Sequence, residues 1–192
     1  MNNPLPDEPQ IEPLDRMQIL AAMGVTAVVL LLVARIWLVF DPVSILPLSW
    51  GGNAILWGLG LGVGLTLASG IVYQIWPAYR RSADFYLNFV LKPLSWPDLI
   101  WLGLLPGLSE ELLFRGVMLP AFGLTLSGVI FSSLCFGVLH LSGLQQWSYV
   151  VWATIVGFAL GFSAVVTGNL LVPILAHVVT NLISSLLWKL SR

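Results

Sequence analysis

The chain has 192 residues and a formal net charge of −1; 58% of its residues are hydrophobic and 9% are charged, against about 25% charged in an ordinary soluble domain. A mean hydropathy of +0.93 leaves too little charge to coat a soluble fold, and 8 Lys and Arg in all offer no basic surface for a nucleic acid. A soluble globular domain, a disordered chain and a nucleic-acid partner are thereby excluded, and an integral membrane protein with several spans is expected. Cys135 is the single cysteine, so an internal disulfide and a cysteine-based metal cluster are excluded too.

Residues 1–16 are polar and proline-rich and carry Asp7, Glu8, Glu12 and Asp15, which predicts a disordered tail. They lack the basic start and cleavage signal of a secretory signal peptide, so the first apolar run is expected to stay in the protein. Apolar runs follow at Met17–Phe40, Ala54–Trp76, Leu99–Leu119, Phe122–Leu141, Trp147–Val166 and Leu170–Leu190. Each approaches or exceeds the roughly 20 residues that cross a 30 Å hydrocarbon layer as a helix. The alternating segments of a β-barrel are missing. The expectation is an all-α polytopic transmembrane bundle of about six spans. Ser82–Asp98, where Asp84, Lys92, Pro93 and Pro97 mix with aromatics, reads as an interfacial helix or linker.

Arg16, Arg80, Arg81, Lys92, Lys189 and Arg192 lie outside the runs or at their ends. With six spans and both termini cytoplasmic, all six of these cations fall on the cytoplasmic side; Arg35 snorkels outward from the far end of the first span. Gly58, Gly60, Gly62 and Gly64 set two overlapping small-xxx-small patterns on the second span, and Gly103/Gly107 and Gly157/Gly161 repeat the spacing. The two readings are a dimer face and close packing within one bundle. Several spans carry the pattern, which favours the second. The oligomeric state stays open.

The chemistry lies in the ionisable residues placed inside apolar runs, which cost a few kcal/mol each and mark function by default. They are Glu110, Glu111 and Arg115 on the third run, His140 at the end of the fourth and His177 on the sixth. On a helix Glu111 and Arg115 are i,i+4 neighbours with the acid N-terminal, the better orientation for an ion pair. Glu110 is rotated by about 100° and faces elsewhere. This suggests that Glu111 and Arg115 lock the helix while Glu110 is free to act; the plainer alternative is a structural ion pair with a spare carboxylate. Phe136 and His140 share a face one turn apart, as do His177 and Asn181. A histidine and an amide aimed into one cavity can donate to a developing oxyanion, or form a helix–helix hydrogen bond.

The segments EELLFR (Glu110 to Arg115), FGVLH (Phe136 to His140) and HVVTN (His177 to Asn181) resemble the EExxxR, FxxxH and HxxxN/B motifs of the CPBP intramembrane proteases, the CAAX-protease and bacteriocin-processing family also called Abi. The resemblance covers roughly Asp98–Leu187 and matches the motifs in the family's order. It implies a four-helix catalytic core in residues 98–192, with residues 17–97 as two accessory helices and a linker. It implies an intramembrane endopeptidase: Glu110 and His140 activate a water, His177 and Asn181 form the oxyanion hole, and Glu111 and Arg115 support Glu110. The implied partner is a peptide or lipidated-protein substrate in the bilayer, for CAAX-type prenyl-protein processing, peptide or bacteriocin maturation, or self-immunity. No obligatory cofactor is expected. Zinc is the alternative, held by Glu110, His140 and His177, but a catalytic zinc usually takes three protein ligands plus water and the chain offers only two histidines.

A bacterial-type cell membrane is the expected location. A small transporter using the same Glu and His as a relay, and a non-catalytic scaffold, are the competing functions; a transporter favours an internal repeat of broken helices, which the sequence lacks. In this topology His140 lies near the cytoplasmic end of its run, Glu110 near the middle and His177 toward the other side. They meet at one level only if boundaries shift or helices are staggered around a cavity, which is expected to open to the cytoplasm.

Overall fold

The computed structural model describes residues 14–191, so most of the tail expected over residues 1–16 lies outside the described residues. Among those described, every regular element is helical, as the apolar runs require. Helix α1 spans Arg16–Phe40 and takes Arg16 out of the expected tail. Asp15 caps it: its side chain accepts from the Gln18 N–H, and the Gln18 side chain accepts from the Asp15 N–H, a reciprocal capping box. Helix α2 spans Gly52–Ile75. Helix α3, Pro77–Leu91, opens with proline in the first turn, where its missing N–H costs nothing. It begins ahead of the interfacial segment expected from Ser82.

The third apolar run becomes one continuous helical rod, α4 (Leu99–Glu111), a π-helical turn (Leu112–Met118) and α5 (Leu119–Ala121). Pro120 has no N–H to offer Gly116 four residues back. The Gly116 carbonyl accepts instead from the Leu46 N–H, at 3.2 Å, in the connection between α1 and α2. Helices α6 (Leu126–Leu139), α7 (Trp147–Thr167) and α8 (Leu171–Leu190) complete the bundle. Four helices (α1, α2, α7 and α8) are long and apolar enough to cross a membrane. Helix α6 is not: its 14 residues extend about 21 Å at 1.5 Å per residue, short of a 30 Å hydrocarbon layer. The fourth run looked longer in sequence because its first residues form a turn around Gly123, φ +89°.

The described chain ends meet at one end of the bundle. Arg16 clamps Asp98 through two bonds of 2.7 Å, and Lys189 donates to the Leu94 carbonyl. The opposite end is tied by Asn169, whose side chain accepts from the Ser49 N–H at 3.0 Å and donates to the Ser49 carbonyl at 2.7 Å.

Helix α8 is the axis, gripped between α2 and α4 through glycines. A Cβ on Gly62 would stand 2.7 Å from the Val179 Cβ and 2.8 Å from the Ala176 carbonyl. One on Gly107 would stand 2.5 Å from the Val178 Cγ2. Gly58/Gly62 and Gly103/Gly107 are thus packing seams within one chain. Gly60 and Gly64 have nothing within 4 Å and form a separate outward stripe. Gly62→Leu is therefore expected to destabilise the bundle by about 1–3 kcal/mol through overpacking, with Gly60→Leu close to wild type, as read from melting in detergent; equal melting of the two would place the seam elsewhere.

The Asp98 carboxyl is held well below the usual carboxylate range by the Arg16 guanidinium and by Ser95. A depressed carboxyl stabilises the fold above its unfolded value, near about 3.9, and that contribution is lost as pH falls toward the folded value. Asp98→Asn is expected to lower the melting temperature at pH 7 and to flatten its decline below about pH 4. Parallel curves for variant and wild type would remove the clamp from the stability of this end.

Candidate active site

Glu111 and Arg115 are both 0% exposed. An unpaired charge at such a depth costs several kcal/mol, so each needs a partner. The Glu111 Oε1 atom accepts from Arg115 Nη1 at 2.8 Å and from His177 Nδ1 at 2.8 Å. The i,i+4 pair expected from spacing is formed, although Arg115 lies in the π-helical turn rather than in α4. The second guanidinium arm donates to the Gly157 carbonyl at 2.9 Å, and the Arg115 Cζ lies 4.4 Å from the Phe136 ring centroid, a cation–π distance. Gly157 is small for a reason: a Cβ there would stand 3.2 Å from the Phe136 ring and 3.3 Å from Arg115 Nη2. The arginine thereby joins the α4 rod to α6 and α7, and the carboxylate joins it to α8.

Glu110 faces away from this lock. Its Oε2 is buried with no hydrogen-bond partner and lies 4.0 Å from the Nε2 of His140, with side-chain exposures of 10% and 24%. His140 is the C-cap of α6. A carbonyl can only accept, so the 2.9 Å contact between its Nδ1 and the Phe136 carbonyl is an Nδ1–H bond. In the neutral ring this leaves the Nε2 lone pair turned to Glu110. The Phe136 ring packs against both imidazoles, at 4.8 Å from His140 and 5.7 Å from His177.

Glu110, His140, His177 and Asn181 line one cavity of about 520 Å³. The difference in depth expected along the spans is removed by the shortness of α6, which brings its C-terminal histidine to the level of Glu110. Ser184, Ser185 and Trp188 of the α8 C-terminal half, with Ser191 just past it, extend the cavity wall, so it reaches the end of the bundle where Arg16 and Lys189 lie. Helices α2 and α3 supply further wall through Thr66, Ser69, Tyr79 and Tyr86. Sequence reasoning passed over Thr66, Ser69 and Tyr79 and placed Tyr86 only within the interfacial segment Ser82–Asp98. The signal for α3 was present as an inward stripe at helical spacing, Tyr79, Ser82, Ala83 and Tyr86, beside the exposed Arg80 and Arg81. Among the described residues no group of three or more His, Cys, Asp or Glu side chains is arranged to hold a metal ion.

Removing one partner of the buried lock should be costly. Arg115→Ala is expected to destabilise by about 3–5 kcal/mol, because Glu111 is left buried without its cation. Glu110→Gln, at a position with no bond to lose, is expected to melt near wild type. Comparable melting of both variants would show that the lock does not hold the fold.

Residues 92–183 match the family described as Rce1-like, type II CAAX prenyl endopeptidase. The Uncharacterized protein YpbD of Bacillus subtilis (strain 168) is similar as well, 33% identical over 124 residues, which are 64% of this chain and 63% of that relative. The chain therefore spans less than two thirds of the length of that relative. No solved structure matches.

Proposed function

Because residues 92–183 match the Rce1-like family of type II CAAX prenyl endopeptidases, we propose that the chain belongs to it and hydrolyses a peptide bond inside the membrane with a water activated by Glu110 and His140. One observation carries this reading: a buried, unpartnered carboxylate oxygen 4.0 Å from a histidine nitrogen, in a cavity shared with His177 and Asn181. A separation of 4.0 Å is too long for a hydrogen bond. It suits one water donating to both atoms over about 2.8 Å each, with an angle of about 90° at its oxygen.

In the forward step Glu110 takes a proton from that water and the resulting hydroxide adds to the scissile carbonyl. The carbonyl oxygen gains the negative charge and is met by the His177 Nε2–H and the Asn181 amide. His177 can donate from Nε2 while Nδ1–H is bonded to Glu111 only when both nitrogens carry protons. The Glu111 carboxylate is placed to stabilise that imidazolium. Collapse of the adduct breaks the C–N bond, and the proton on Glu110 passes to the leaving amine.

The substrate is a peptide or a lipidated protein reached from the bilayer, and CAAX-type prenylated chains are its first candidates. Residues 98–192 carry the chemistry and residues 17–97 supply cavity walls. The described chain ends and the cavity mouth face the cytoplasm of a bacterial-type cell membrane, because Arg16 and Lys189 are tied to Asp98 and Leu94 at that end and cytoplasmic loops are the basic ones.

The test is cleavage of a quenched-fluorescent prenylated CAAX peptide by the detergent-purified protein. Glu110→Gln is expected to lose at least about 100-fold in rate while remaining folded; cleavage at the wild-type rate would remove Glu110 as the base. Excess chelator is expected to leave the wild-type rate within about twofold, since the mechanism draws on no metal. A chelator-induced loss that zinc restores would overturn the metal-free route.

A further inference from the structure

We propose that Tyr86, carried by α3 outside the family-matched residues, is a positioning residue for His140; the inference rests on the reading of His140 as the partner of Glu110. The carbonyl of a helix C-cap has no donor one turn ahead and needs one from elsewhere. The Tyr86 hydroxyl supplies it by donating to the His140 carbonyl. The same oxygen accepts from the Ser142 N–H at 3.1 Å. One side chain thus holds the backbone on both sides of Leu141, where α6 ends and the chain turns toward α7.

Tyr86 is itself firmly placed. Tyr79, Ser82 and Ala83 are buried on the same face of α3, and the Ser82 and Ser148 hydroxyls meet at 2.9 Å, docking α3 on α7. The Tyr86 ring centroid lies 4.3 Å from that of Tyr149, whose own ring is 6.0 Å from His140. Two constraints therefore act on the imidazole. The Phe136 carbonyl fixes its rotation, and Tyr86 fixes the backbone that carries it. A water bridging Glu110 and His140 tolerates little drift between them, and a misplacement of about 1 Å in a catalytic group can cost on the order of 100-fold in rate.

The experiment uses the full chain in detergent, the quenched-fluorescent prenylated CAAX peptide as probe, and ¹⁵N-imidazole labelling, which resolves the chain's 2 histidines. Tyr86→Phe keeps the ring and its packing on Tyr149 and removes the hydroxyl alone. Its expected result is a kcat lowered roughly tenfold with KM within about twofold, the loss of one positioning hydrogen bond. The His140 resonances shift while those of His177 stay. Ser82→Ala is the control for docking of α3: it breaks the Ser82–Ser148 contact without touching the clamp, and its kcat is expected within twofold of wild type.

A Tyr86→Phe protein with wild-type kcat, or with unmoved His140 resonances, overturns the proposal. A Ser82→Ala variant as impaired as Tyr86→Phe does so too, because docking alone would then explain the loss. If the wild type itself does not cleave the probe and no library peptide replaces it, the protease reading fails. The His140 resonances of Tyr86→Phe then decide the positioning role by themselves.

Discussion

Glu111 holds a carboxylate where no solvent reaches, and its Oε1 takes one bond from its own helix and one from α8. The cost of a buried charge makes this arrangement nearly all-or-none: it is stable when Arg115 and His177 are both in place and strongly unfavourable with either removed. Arg115 then extends the constraint, with one arm on the Gly157 carbonyl and its face on Phe136. Four separate elements, the α4 rod, α6, α7 and α8, are fixed in depth and rotation by a single ionic group. Consecutive helix positions are rotated by about 100°, so fixing Glu111 inward to the lock fixes Glu110 toward the cavity.

The cavity follows from two irregularities of the helices rather than from their regular parts. Helix α6 stops after 14 residues and places His140 at its end beside Glu110. The rod containing Glu110 loses regular α-helical bonding at Leu112–Met118, immediately after the adjacent carboxylates Glu110 and Glu111. Pro120 contributes by withholding a backbone donor from Gly116, and the long α1–α2 connection completes that carbonyl. Local departures of this kind are concentrated at functional sites because regular helices present side chains only at fixed spacings. Helices α2 and α3, which flank the matched segment in sequence, close the cavity in space. Part of the enclosure thus comes from outside the matched segment.

Much of this was legible in the sequence. The helical class followed from apolar runs of spanning length, and four of those runs became helices able to cross a membrane. The Glu111–Arg115 pair followed from i,i+4 spacing, and the opposite facing of Glu110 followed from helical rotation. Other features were not legible. The Phe122–Leu141 run looked like a full span because hydropathy cannot tell a turn around Gly123 from a turn of helix. The glycine patterns did not reveal which stripe is inward: Gly62 and Gly60 have the same spacing, and only contact with α8 separates them. Tyr86 could not be assigned to His140, because 54 residues separate them and no period links them.

By itself the sequence determined that the chain lives in a membrane, that it is helical, and which few ionisable residues stand in apolar surroundings. These are properties of composition and local period, and any helical arrangement of the chain would keep them. Tertiary structure decided which of those residues meet: that His177 bonds Glu111 while His140 faces Glu110, that both pairs share one cavity, and that α3 closes it. Those outcomes depend on where helices end and how closely their backbones approach. Both are set by packing between segments distant in the chain.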